Sequence, residues 1–119
     1  MSNPKMNYIH YSRISKMFAV LSYIGLDVEM KPMPMFNGYQ IICYKPGTNR
    51  CKRDDSNNWA FDIICHDGSY GHDSGLLEGS GGPFVTDYDS VTGWLDVQDA
   101  LDLILNWIGE GNMSASPRT

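Results

Sequence analysis

The feature that most constrains the fold is the order of two hydrophobic periods along the chain. Apolar residues recur on one face of a helix at residues 12–24, and again at residues 97–108. Between these segments lie short stretches with β-strand character, and no helix links one to the next. Parallel strands need a long crossover connection, so these strands are expected to pair antiparallel.

The first helix is predicted at residues 12–24. Ser12 is a suitable N-cap, and Gly25 stands where a helix would end in a left-handed residue. The apolar face of this helix follows the positions i, i+3, i+4, i+7 and i+10, namely Ile14, Met17, Phe18, Leu21 and Ile24.

The second helix is predicted to begin after Asp96. This residue is a good N-cap, and Asp99 at the third helical position approximates a capping box. Gly109 fits the end of the helix. Its apolar face comprises Val97, Leu101, Ile104, Leu105 and Ile108. The three tryptophans, which are Trp59, Trp94 and Trp107, are expected to anchor the core or a helix face.

Three strands are predicted between the helices. Residues 26–30 alternate apolar and polar side chains, and the Lys31-Pro32 pair is expected to end this strand because proline cannot donate to a sheet ladder. Residues 39–44 and 59–65 are rich in strand-forming side chains. They are expected to form an antiparallel hairpin with a long polar loop.

Residues 66–82 contain six glycines, a density that we expect no core strand to tolerate. Residues 83–88 could add a short edge strand. The predicted fold is therefore a two-layer α+β domain in the order α-β-β-β-(β)-α, with three to four antiparallel strands. Residues 1–109 form this single domain, and residues 110–119 are predicted to be a flexible tail.

The charge is distributed unevenly. The chain of 119 residues has a net charge of −5, which argues against direct binding to nucleic acid. Residues 1–53 carry eight basic and two acidic residues, giving +6, whereas residues 54–119 carry twelve acidic residues and one basic residue, giving −11. The halves could neutralise each other across the fold, or the second half could form an acidic surface for a basic partner.

No apolar run has the length of a membrane-spanning helix, and the N-terminal residues do not match a secretory signal peptide. The odd number of cysteines suits a reducing compartment better than a disulfide framework. Cys43, Cys51 and Cys65 are expected to be free thiols. The sequence thus favours a cytoplasmic protein without a membrane partner.

The glycine-rich segment could carry chemistry in three ways. Cys65, His66 and His72 are of the types that bind zinc, although their spacing matches no zinc motif. Asp67 to Glu78 partly matches an EF-hand calcium loop, but the glycine of the sharp turn is missing. Histidine–aspartate pairs and serines could serve an enzyme, but no catalytic motif is present. We therefore assign no catalytic residue, cofactor or metal, and an enzyme is less favoured.

A binding role for the same segment is favoured. Glycines let a backbone approach a partner closely, and Tyr70 offers a rigid amphipathic anchor. A long ordered loop in a small domain is usually functional. The predicted contact residues of this loop are Asp67, Tyr70, His72 and Asp73.

The acidic residues of the second half provide the other candidate surface. Five aspartates lie within sixteen residues, and no lysine or arginine separates them. They are Asp87, Asp89, Asp96, Asp99 and Asp102. Spaced negative charges can imitate a phosphate backbone and occupy a basic nucleic-acid channel. They can also be an ordinary solvated surface.

The run WAFDIICHDGSYGHDSGLLEGSG, followed by an acidic linker and GWLDVQDALDLI, resembles small accessory proteins of phages and prophages of Gram-positive bacteria. The resemblance covers residues 59–105. It implies similarity in kind to anti-CRISPR and other anti-defence inhibitors, which bind a host complex stoichiometrically.

The leading hypothesis is therefore a non-enzymatic inhibitor of a host nucleic-acid-handling protein, such as a CRISPR effector or another defence protein. The alternative is a small-ligand-binding or metal-binding protein, or an enzyme, that uses the segment from Cys65 to Glu78. A homo-oligomeric structural module is a third interpretation.

Overall fold

The computed structural model describes residues 8–113, which form two α-helices and five β-strands. In chain order these are α1 (Tyr8–Tyr23), β1 (Val28–Met33), β2 (Gly38–Tyr44), β3 (Trp59–Cys65), β4 (Leu77–Ser80), β5 (Val91–Leu95) and α2 (Val97–Gly109). Among the described residues, no helix has both the length and the apolar character needed to cross a membrane.

The five strands form one antiparallel sheet whose spatial order, β1-β2-β3-β4-β5, is the order of the sequence. The predicted α+β class is confirmed, as is the hairpin of β2 and β3. The sheet has five strands, whereas three to four were predicted.

Both helices pack on the same face of the sheet. Side chains alternate along β3, so that Phe61, Ile63 and Cys65 are buried beneath the helices. Ile14 from α1 and Ile104 from α2 join the same hydrophobic cluster. The core therefore lies between one helical layer and one sheet layer.

The helix α1 begins four residues before the predicted start at Ser12, which lies inside it. The reason is that His10 continues the apolar face toward the N-terminus, four residues before Ile14, and is itself buried. The predicted end is confirmed. Gly25 has a φ of +95°, and the amide of Leu26 donates to the carbonyl of Leu21.

The strand β1 was predicted to stop before Lys31, but it continues through Pro32 to Met33. This prediction was wrong because β1 is the edge strand of the sheet. An edge strand has one side without ladder partners, so a proline there removes no hydrogen bond from the sheet.

Two predictions for the glycine-rich region were also wrong. A strand, β4, lies within residues 66–82 and pairs with both β3 and β5. The edge strand is β5 and not residues 83–88, which begin in a single 3₁₀ turn (Gly82–Phe84). The glycine inside β4 has a packing role, because the buried ring of Phe84 covers Gly79.

The start of α2 agrees with the prediction. The Asp96 side chain accepts a hydrogen bond from the amide of Asp99, and the Asp99 side chain accepts one from the amide of Asp96. Leu105, expected on the apolar face, is instead 46% exposed. After the helix, Met113 packs against the core. The rest of the predicted tail, residues 114–119, lies outside the described residues, as do residues 1–7.

The three cysteines are free thiols, as expected. Cys43 and Cys65 are buried in the core, and Cys51 is exposed. Burial raises the pKa of Cys43 to about 12 and, against a smaller opposing effect of Arg13, that of Cys65 to about 11. Both buried thiols therefore stay protonated at neutral pH.

One test of this packing compares two glycine-to-alanine substitutions. A Cβ on Gly79 would lie 2.4 Å from Phe84, whereas a Cβ on Gly109 would meet no atom within 4 Å. We expect Gly79→Ala to lower the free energy of unfolding by about 2 kcal/mol. Gly109→Ala should leave it unchanged or raise it by about 0.5 kcal/mol. Urea denaturation measures both, and equal stability of the two variants would contradict the packing described.

A second test concerns Asp62, which lies on the sheet face opposite the core residues Phe61 and Ile63. Burial raises the pKa of this carboxyl group. The hydrogen bond from Gln40, 2.9 Å long, lowers it in part, and the charge of Glu78 raises it. The folded state therefore holds this proton more tightly than the unfolded state. The contribution of Asp62 to stability must then decline as pH rises above the ordinary aspartate range.

The substitution Asp62→Asn retains an acceptor for Gln40 and removes the charge. We expect its stability relative to the natural chain to increase between about pH 4 and about pH 7, as measured by urea denaturation. A relative stability that decreased over this interval would show that the ionised carboxylate stabilises the fold.

Candidate functional site

The candidate site is built around the loop of residues 66–76, which joins β3 to β4. The loop is fixed to two other parts of the fold. The amide of Asp67 donates to the carbonyl of Phe36, 2.7 Å away, in the turn between β1 and β2. Arg13 of α1 donates through Nη1 to the carbonyl of Ser74 at 2.9 Å. The loop is therefore an ordered element.

Side chains inside the loop also stabilise its shape. The buried Ser69 hydroxyl donates to the carbonyl of His66 and accepts from the amide of the same residue. Glu78 of β4 accepts from the amide of Tyr70 at 2.8 Å. Two oxygens that the calcium-loop interpretation would use as ligands are thus hydrogen-bonded to the loop backbone.

The loop and β5 approach each other closely because glycines face the contact. A Cβ on Gly93 would lie 2.4 Å from the Cβ of Tyr70. A Cβ on Gly71, whose φ is +90°, would lie 3.1 Å from the Cα of Trp94. A side chain at Gly93 would displace Tyr70, and one at Gly71 would displace Leu76 and Trp94.

The close approach brings Tyr70 and Trp94 together as a stacked pair, with ring centroids 5.0 Å apart and planes inclined by 16°. Tyr70 is 50% exposed and Trp94 is 63% exposed. The prediction that Trp94 anchors the core was therefore wrong. Trp59 and Trp107 are half-buried, and Trp107 packs edge-on against Phe61.

The backbone of Trp94 is left-handed, with a φ of +55°. This conformation costs a residue with a side chain about 1 kcal/mol. Such strain is concentrated at functional sites in proteins. We call Tyr70 and Trp94 together the aromatic ledge.

A cleft of about 290 Å³ lies beside the aromatic ledge. It is lined by the loop residues from Gly68 to Ser74 and by Trp94. Its volume is at the lower limit for small-molecule sites, which span about 300–1,000 Å³. The cleft is therefore suited to one or two side chains of a partner.

The residues considered for a zinc site do not form a group of metal-binding side chains in the described part of the chain. Cys65 is buried in the core, and the His66 ring packs on Phe36. His72 instead lies against His10 of α1, with ring centroids 5.4 Å apart. His10 is not among the residues predicted for this site, and its only signal in the sequence was its position on the apolar face of α1.

The sheet order separates part of the charge in space. Because sequence order and spatial order coincide, β1 and β5 lie at opposite edges, about 19 Å apart across four strand spacings. Lys31 lies on β1, and further lysines and arginines lie in the β2–β3 loop. The acidic second half forms β3, β4, β5 and α2. We call this part of the surface, from Glu78 to Glu110, the acidic side.

The two halves form no direct ion pair between a lysine or arginine and a carboxylate within residues 8–113. An ion pair does join Arg53 to Asp27, with Nη2 and Oδ2 2.6 Å apart, but both residues belong to the first half. No lysine or arginine occurs from residue 54 to residue 113. At physiological ionic strength, charges more than about 8 Å apart are largely screened, so Lys31 at the opposite edge does not neutralise the acidic side. Two basic residues of α1, Arg13 and Lys16, do border it, because they line one cleft with Asp96 and Gln98.

The five predicted aspartates are all exposed, but they differ in their structural roles. Asp96 and Asp99 form the capping box of α2. Asp102 accepts a hydrogen bond from Gln98. Asp87 and Asp89 lie in the turn before β5, and their side chains take part in no hydrogen bond seen in the described residues. Asp87, Asp89 and Asp102 can therefore be changed without removing the helix cap.

Comparisons of the chain with protein-family models, with curated proteins and with solved structures gave no significant match.

The strain at Trp94 can be tested by two substitutions that both remove the indole ring. Glycine adopts a left-handed backbone freely and alanine does not. We expect Trp94→Gly to unfold with a free energy about 1 kcal/mol higher than Trp94→Ala, measured by urea denaturation. In a strand with ordinary backbone angles the alanine variant would be the more stable of the two, and that order would exclude the strained conformation.

Proposed function

We propose that this protein is a non-enzymatic inhibitor that binds a basic surface of a nucleic-acid-handling protein. In this proposal the acidic side meets the basic residues that normally hold phosphates, and the aromatic ledge enters a pocket beside them. The partner is a host protein such as a CRISPR effector or another defence protein, in line with the resemblance to phage and prophage proteins.

The observation that carries the proposal is the exposed tryptophan. Trp94 is held on the surface by a left-handed backbone, by stacking on Tyr70, and by glycines at positions 71 and 93. A fold optimised only for stability would bury an indole ring of this size. Exposed aromatic residues held rigidly beside a cleft are typical centres of protein interfaces.

The charge distribution supports the identity of the partner. Trp94 is followed after one residue by Asp96 and the first turn of α2, so the aromatic ledge borders the acidic side. Acidic side chains attract a basic partner and increase its rate of association. Because the acidic side is itself repelled by phosphates, it would compete with nucleic acid for the partner.

Capture from a lysate of a Gram-positive bacterium tests the proposal. We expect the immobilised protein to retain a nucleic-acid-binding protein that added DNA or RNA displaces. Trp94→Ala should weaken retention at least tenfold, whereas Tyr23→Ala, which removes an exposed aromatic ring at the far end of α1, should not.

Charge variants provide the second part of the test. Asp102→Lys should weaken binding, whereas Asp54→Lys, an equal change in the β2–β3 loop, should not. Reversal of Asp87, Asp89 and Asp102 together should weaken binding several-fold and flatten its salt dependence. Retention that is indifferent to Trp94 and to these aspartates, or that nucleic acid does not displace, would contradict the proposal. Self-association seen by light scattering, with loss of the dimer in Trp94→Ala, would replace it with a homo-oligomeric role.

A further inference from the structure

A second feature of the same loop has a chemistry of its own. His10, Asp67 and His72 each present one donor atom, and the three atoms lie within 4.8 Å of one another. From this geometry we propose a binding site for a first-row divalent transition-metal ion, of which zinc is the best match. The site is independent of the partner proposed above, since it is defined by binding of the metal alone.

The ligand types determine the class of ion. Two imidazole rings and one carboxylate are a combination that zinc and neighbouring transition metals bind. Calcium and magnesium prefer a shell made entirely of oxygens. Three protein ligands also leave a fourth tetrahedral position for a water molecule, as in zinc sites that are open on one side.

His10 is arranged as a metal-binding histidine commonly is. The ring is only 1% exposed, and its Nδ1 lies 2.7 Å from the carbonyl oxygen of Asn37. A carbonyl oxygen can only accept, so Nδ1 carries the proton in the neutral ring and Nε2 keeps its lone pair. Such a bond from one ring nitrogen to a backbone carbonyl orients the ring in many metal-binding histidines. Because Nδ1 also lies 3.9 Å from Oδ1 of Asp67, that carboxylate must turn toward Nε2 to share a metal ion with it.

The other two ligands are positioned by the contacts of the loop. The amide of Asp67 is bonded to Phe36, and Arg13 holds the carbonyl of Ser74 beside His72. The loop also packs tightly on α1, because a Cβ on the buried Gly75 would lie 2.5 Å from the carbonyl oxygen of Ile9. Gly75, with a φ of +71°, thus permits the approach of His72 to His10.

The distances require only a small adjustment. Three atoms within 4.8 Å of one another share a point no more than about 2.8 Å from each. Zinc–nitrogen bonds are about 2.0–2.1 Å long. A contraction of about 0.7 Å per ligand is within the reach of side-chain rotation for Asp67 and His72, which are exposed and half-buried respectively.

Titration with zinc chloride tests the site, using isothermal calorimetry on the untagged full chain. The Cys51→Ser background removes the exposed thiol as a competing ligand. We expect one zinc ion per chain, and a rise in melting temperature when zinc is added. His72→Gln and Asp67→Asn should each weaken zinc binding at least tenfold and abolish most of the thermal shift.

The matched control is His66→Gln, which removes the other histidine of the loop while leaving the three proposed ligands. It should bind zinc as the background protein does. Circular dichroism verifies that every variant is folded, and the test does not depend on substituting the buried His10. Failure of the background protein to bind zinc, or equal weakening by His66→Gln, would overturn the proposed site.

Discussion

The rest of the structure depends on one topological constraint: antiparallel strands connected without crossovers must lie side by side in the order in which they are synthesised. This meander converts an asymmetry of the sequence into an asymmetry of the surface. Lys31 on β1 and the acidic residues of β5 are kept apart by the three strands between them. The net charge of −5 is therefore a poor description of a surface on which the acidic residues are concentrated from Glu78 to Glu110.

The same constraint explains which parts of the fold could be predicted. Some features depend only on residues that are near one another in the sequence, so they could be predicted from it. They are the hydrophobic periodicity of α1 and α2, the hairpin of β2 and β3, and the capping box at Asp96. The predictions for β1 and β4 were wrong because the effect of a proline or a glycine on a strand depends on tertiary context. A proline is harmless only if its strand is an edge, as at Pro32, and a glycine belongs in a strand when a ring covers it, as at Gly79.

The candidate site was predictable only in part for the same reason. The loop and Tyr70 were evident from glycine spacing, but Trp94 resembles any aromatic residue in a strand until its backbone angle is known. His10 lies more than fifty residues from Asp67 and His72, so no local motif could connect them. Glycines permit the close contacts on which both features depend. Positions 71 and 93 admit the aromatic ledge, and position 75 brings the loop against α1.

The central claim is that the acidic side and the aromatic ledge form a single binding surface. Amide hydrogen exchange on the isolated protein and on its complex with the captured partner tests this claim most directly. We expect added protection in the complex at residues 68–74 and 91–99, and none at residues 45–53 in the basic loop. Protection confined to the basic loop, or to β1, would show that the partner binds outside the acidic side and the aromatic ledge, and would contradict this claim.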